Sequence, residues 1–185
     1  MNTPLIVSCK RFACGKHAWA QSEDAMAASA DLKRFAVADG VSQRVCLQKQ
    51  FAMFLAENFA FGTRFAGPIA KESVPAWEES LSEGWAKMLE SWKSSDDART
   101  DLNEDLAAWL TKPAAATFAG VELRPGTSDS GIWLSAVSVG DSYVFVVDQG
   151  RLIHALGTRT PEGAPTNTAV ARARPGANPS LSFTE

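Results

Sequence analysis

Three short acidic segments carry residue types that could do chemistry together: Glu23-Asp24-Ala25, Asp39-Gly40 at the end of Phe35-Ala36-Val37-Ala38, and Gly140-Asp141-Ser142. Each alone reads as a turn, because Asp and Gly suit turn geometry. Their combination says more. Carboxylates delivered by different strand ends can converge at one end of a sheet. Hard divalent cations such as magnesium and manganese favour oxygen ligands and keep several waters. Two such ions a few ångström apart clamp a phosphoryl group and activate a water. A glycine after Asp39 leaves its own carbonyl free of side-chain crowding.

The elements that must position these residues can be read from pattern. Leu5 to Lys10 is short and β-favouring and predicts a first strand. Cys14 to Glu23 predicts a loop, and Asp24 to Ala30 is ambiguous. Arg34 to Ala38 is an apolar run ending at Asp39-Gly40, which predicts a buried strand that delivers an acid to its end. Phe51, Phe54, Leu55, Asn58 and Phe59 recur at helical spacing within Leu47 to Phe61. Trp77, Leu81, Trp85, Leu89 and Trp92 do so within Ala76 to Trp92. Leu102, Leu106, Trp109 and Leu110 predict a further helix, ended by Pro113. Strands are then predicted over Ala115 to Leu123, Ile132 to Val139, Ser142 to Val147 and Arg151 to Ala155. Short turns at Gly140-Asp141 and Asp148-Gln149-Gly150 imply antiparallel pairing. Strands, then helices, then a strand meander indicate an α+β fold.

Set in order, these segments resemble the metal-dependent protein phosphatases of the protein phosphatase 2C family. Glu23-Asp24-Ala25 followed by Phe-Ala-Val-Ala-Asp-Gly is similar to that family's opening Asn-Glu-Asp and Phe-Ala-Val-Ala-Asp-Gly. Ala115-Ala116-Thr117 stands where the family has a Gly-Ser-Thr-Ala strand. Ala136-Val137-Ser138-Val139-Gly140-Asp141-Ser142 resembles Ala-Asn-Val-Gly-Asp-Ser, and Val146 to Leu152 resembles the hairpin that follows. The resemblance spans about residues 5–156 and defines a partial domain over 1–156. It implies a four-layer αββα sandwich of two antiparallel sheets with flanking helices, incomplete at its C-terminal end. It implies two manganese or magnesium ions, with Glu23, Asp39, the Gly40 carbonyl and Asp141 as metal ligands. Asp39 would bridge the ions and Asp24 would support them, so that Asp39 and Asp24 carry catalysis. The implied reaction is direct attack of metal-activated water on phosphoserine or phosphothreonine of a phosphorylated protein substrate. The alternative is a catalytically inactive, phosphatase-like binding module.

The departures from the family are specific. Trp19 stands four residues before Glu23, where the family has a phosphate-gripping Arg; Lys16 and His17 nearby are either substitutes for it or exposed loop residues. Val41-Ser42-Gln43 replaces a segment with a Gly pair. After Asp148 the sequence holds no Asp, so two later family carboxylates have no counterpart.

Composition bounds the rest. A length of 185 residues supports one packed domain. The net charge of -3 and the scattered Lys and Arg give no basic stripe, so no nucleic-acid partner is expected. Three cysteines (Cys9, Cys14 and Cys46) without regular spacing do not make a disulfide framework, and free thiols fit a reducing cytoplasm. Cys46 at a helix start reads as an inert buried thiol. No apolar run approaches a membrane span or a signal core, so no membrane partner is expected. His154, in the apolar run Leu152 to Ala155, reads as a partly buried structural histidine. Residues 157–185, rich in Pro, Gly and Ala, read as an extended or mobile tail.

Overall fold

The computed structural model describes residues 23–40, 47–62, 73–93, 114–125, 132–157 and 171–173. The expected strand at Leu5 to Lys10, the helix around Leu102 to Leu110, and Lys16, His17, Trp19 and Val41 to Gln43 lie outside these residues.

Two helices and two antiparallel sheets make up the described part, an α+β arrangement. The first sheet runs β1 (Asp24–Ala28), β2 (Arg34–Gly40), β3 (Ala114–Pro125) and β4 (Ile132–Val139) in spatial order. Helices α1 (Gln48–Phe61) and α2 (Val74–Lys93) lie between β2 and β3 in the chain. Strands β5 (Val144–Asp148) and β6 (Arg151–Leu156) form a separate hairpin, and β7 (Ala171–Ala173) pairs with Ala114 to Ala116 of β3. The region past residue 157 thus adds one short strand to the first sheet. Among the described residues, no helix is long and apolar enough to cross a membrane.

The ambiguous segment at Asp24 is a strand because β2 is its hairpin partner: Ala25 stands opposite Ala38 and Ala27 opposite Ala36. Period-2 alternation then divides the sheet into two faces. Ala25, Ala27, Ala36, Ala38, Gly40, Ala116, Phe118, Val137 and Val139 face the helices and are buried. This face is mostly Ala, so α1 lies close on it, and the aromatic residues of the helices fill the space. Phe59 packs its ring centroid 5.5 Å from Phe118 and 5.9 Å from Trp77, and Phe51 lies 4.8 Å from Trp85. A methyl group on Gly120 would sit 2.7 Å from the Phe59 ring, so the residue there must be glycine. Trp77 donates its indole N–H to Asn58 Oδ1 at 3.1 Å, which satisfies the one polar atom the ring brings into the core. The aromatic stripes read from helical spacing are this core.

Where a buried strand is expected, β2 is buried on one face only. It alternates: Val37 is 50% exposed and Asp39 faces the same way, while Ala36, Ala38 and Gly40 are buried. The apolar run looked uniform only because alanine fills the helix-facing positions.

The hairpin turn is well specified. Gln149 and Gly150 both have positive φ (48° and 77°), as a two-residue type I′ turn requires, and Asp148 pairs with Arg151 across it. A register shift after Val146 leaves Ile153 as an extra residue on β6. Arg151 to Ala155 are all exposed, so His154 is a surface histidine and not the partly buried one expected. The apolar run around it faces outward because this hairpin has little packed against it among the described residues.

Candidate metal centre

Antiparallel register brings the acids together. Asp24 opens β1 and stands directly opposite Asp39, the penultimate residue of β2. Asp39 in turn stands opposite Thr117 of β3. Val139 ends β4 opposite Phe118, so the Gly140-Asp141 turn leaves the sheet at the same end. Glu23 precedes β1 there, and its carbonyl accepts the Gly40 N–H at 3.2 Å. Asp24, Asp39 and Thr117 all lie on the face away from the helices. Every acidic residue singled out in the sequence therefore falls at one end of one sheet, carried by three different strand termini.

Directly opposed like charges destabilise an antiparallel pair, and Asp39 shows the consequence. Partial desolvation of its carboxyl, a hydrogen bond with the Asp24 carboxyl, and the negative charges of Asp24, Asp141 and Glu23 push its pKa up to about 6, from an ordinary 3.8. Below about pH 6 the arrangement favours a proton where a cation would relieve the same repulsion. The donors are all oxygen, the type that manganese and magnesium take, so the chemistry of the set fits a divalent ion. Among the described residues, no three acids, histidines or cysteines already form a ready-made cation cage. Asp24 and Asp39 instead engage each other, carboxyl to carboxyl.

The shift carries a pH prediction. Below about pH 3.8 Asp39 is protonated whether the chain is folded or unfolded. Above about 6 it is ionised in both, and the native state alone carries the repulsion. The contribution of Asp39 to stability therefore falls as pH rises from about 4 to about 6. Metal binding runs the other way, since a protonated carboxyl is a poor ligand. Apparent manganese affinity should fall by up to about tenfold per pH unit below 6. Calorimetric titrations at pH 7, 6 and 5 check this, and pH-independent affinity would refute it.

Gly40 has a steric reason to be glycine. A Cβ there would lie 2.7 Å from Gln48 Cβ and 2.9 Å from the Gln48 carbonyl carbon, so the start of α1 rests on the strand end that carries Asp39. Gly40→Ala should cost about 1–3 kcal/mol through overpacking, read as a lower urea midpoint with an unchanged slope.

Ser142 and Thr117 were legible only as members of sequence segments. In the fold the Ser142 hydroxyl donates to Thr117 Oγ1 at 3.0 Å, tying the Asp141 turn to the strand opposite Asp39. The two are 25 residues apart, and only the β3–β4 register reveals the contact. No protein-family model, curated protein or solved structure matches this chain.

Proposed function

We propose that this chain carries a metal-dependent phosphoserine/phosphothreonine phosphatase domain of the protein phosphatase 2C type. Its substrate is a phosphorylated protein of the cytoplasm, in a signalling role. The observation that supports this most is the gathering of Glu23, Asp24 and Asp141 around Asp39 at one sheet end, with an Asp39 carboxyl that resists ionisation. In this reading Glu23, Asp39, the Gly40 carbonyl and Asp141 hold manganese or magnesium, and Asp24 orients Asp39. A bound divalent ion supplies an acidified water and neutralises charge on the phosphoryl oxygens. In this reading the chain's own contribution is to bring four carboxylates to one sheet end, where the charges of three of them act on Asp39 and favour a cation there. The complete architecture in this reading is the four-layer sandwich. The second sheet lies over the face that carries Val37 and Asp39, and the β5–β6 hairpin is part of it.

The test is phosphate release from a phosphoserine peptide in millimolar manganese, with and without a chelator. Chelator-sensitive release supports the reading, and its absence at every metal concentration sinks it. A second reading, a phosphatase-like module that binds without turnover, is favoured by Trp19 in the position of the phosphate-gripping Arg. Calorimetry separates the two, because this second reading requires phosphopeptide binding that persists in chelator.

A further inference from the structure

The Asp141 turn leaves β4 at the sheet end that carries Asp39. Gly140 leaves the ladder with φ of +81°, a left-handed conformation that glycine adopts without strain, and Asp141 is exposed. Exposed turns of this kind belong to the low-stability end of a fold. One side-chain contact works against that: the Ser142 hydroxyl bonds to Thr117 Oγ1 at 3.0 Å. Thr117 is a firm anchor. It is 6% exposed, it lies in β3 between β2 and β4, and it stands in register with Asp39 on the same face. As a β-branched residue it has few rotamers to choose from. A buried hydroxyl also needs a partner, and Ser142 provides the bond.

We infer that the Ser142–Thr117 hydroxyl pair is a latch that holds the Asp141 turn at a fixed place beside Asp39, so that the two residues position a carboxylate without touching metal or substrate. This rests on the proposed metal centre for its consequence, but the latch is a property of the metal-free fold. Thr117 faces Asp39 by register and Ser142 follows Asp141 in sequence, so one hydrogen bond joins the neighbours of the two carboxylates.

The experiment uses the full chain and three variants: Ser142→Ala, Ser142→Thr and Thr117→Val. Backbone 15N relaxation on the metal-free protein reads the latch. Residues 140–142 should be as ordered as β4 in the wild type, with order parameters near ~0.85, and drop toward ~0.6 in Ser142→Ala and Thr117→Val. Ser142→Thr, which keeps the hydroxyl, should restore them. Manganese titration by electron paramagnetic resonance reads the consequence. Affinity should weaken by about 10-fold in both hydroxyl-deleting variants, the lower end of the range for residues that orient metal ligands, and recover in Ser142→Thr. Unchanged order at 140–142 in Ser142→Ala overturns the latch, whatever the metal does. A loosened turn with wild-type manganese affinity overturns its positioning role. Wild-type protein that binds no manganese overturns the metal centre and with it that role, while relaxation still decides whether the latch exists. Because Thr117→Val puts an apolar group of the same shape in a buried place, its thermal transition checks that the fold survives, and Ser142→Ala at a half-buried position carries the conclusion if it does not.

Discussion

Asp39→Asn should remove manganese-dependent phosphate release and, in the same protein, raise the thermal stability of the metal-free chain at pH 7. The two effects have one cause. Asp39 is the acid on which the others converge: Asp24 stands opposite it in the ladder, and Asp141 and Glu23 add their charges. Asparagine keeps the shape and removes the charge. Residues that merely orient metal ligands cost about 10–100-fold in affinity or activity, so removing the central ligand should cost at least the upper end of that range. Relief of a directly opposed like-charge pair is worth about 0.2–1 kcal/mol, which at this size corresponds to a rise of up to about 4 °C. The rise should shrink at pH 5, where Asp39 already holds its proton. Loss of activity together with a loss of stability would point to an ordinary structural aspartate. Gain of stability with loss of metal binding is the pattern of a site kept at a cost to the fold.

Glu122→Ala should be the most destabilising single change in the sheet, at about 3–5 kcal/mol, without affecting metal affinity. Glu122 is 3% exposed, with one carboxylate oxygen 3.1 Å from Arg34 Nε and 2.9 Å from an Arg124 terminal nitrogen. Arg34 also donates to the Gly62 carbonyl at 2.8 Å, just past the end of α1. The carboxylate therefore joins β2, β3 and the end of the helix that covers them. Truncating it leaves two guanidinium groups without their counter-charge, one of them largely buried, and deleting one partner of a buried ion pair costs about that amount. A Glu122→Leu, Arg34→Met double variant should recover much of the loss, since apolar replacement of both partners of a buried pair is often neutral. Arg34 pairs with Glu122 at one end of the β2–β3 ladder and Asp39 with Thr117 at the other, so manganese titration of folded Glu122→Ala should match wild type. Chemical denaturation gives the stability, and a loss below 1 kcal/mol would mean that the triad is already solvated.

The sequence revealed some parts of this and hid others for physical reasons. Both helices were legible because Phe51, Leu55 and Phe59, and Trp77, Leu81 and Trp85, repeat with the helical period and all are buried. The hairpin was legible because Gln149-Gly150 can adopt two positive φ values in succession. The carboxylate cluster was legible as strand-end acids, since a strand that stops at an acid places it at a sheet margin. Three features were not legible. β1 has a weak pattern, Asp-Ala-Met-Ala-Ala, because its buried positions are alanines chosen for close approach to α1 and not for hydrophobic bulk. The alternation of β2 was hidden by the same alanines. The Ser142–Thr117 contact depends on strand register, which local pattern does not encode. His154 is exposed although its run is apolar, because the run itself faces outward: Leu152 and Ile153 are 60% and 61% exposed.

The hairpin's outward Phe145, Val147, Leu152 and Ile153, with Val37 on the first sheet, also bear on the architecture. Two-stranded hairpins are marginal in water, and three or more strands with a covered face are needed for independent stability. In the proposed sandwich, the exposed apolar residues of β5 and β6 would be covered by packing around the second sheet.

The most direct test of the account is a manganese titration of the metal-free chain at pH 7 by electron paramagnetic resonance, run beside Asp39→Asn. The account predicts saturable binding to the wild type that the variant loses while remaining folded. Equal binding by both proteins, or none by the wild type, would contradict a metal centre built on Asp39.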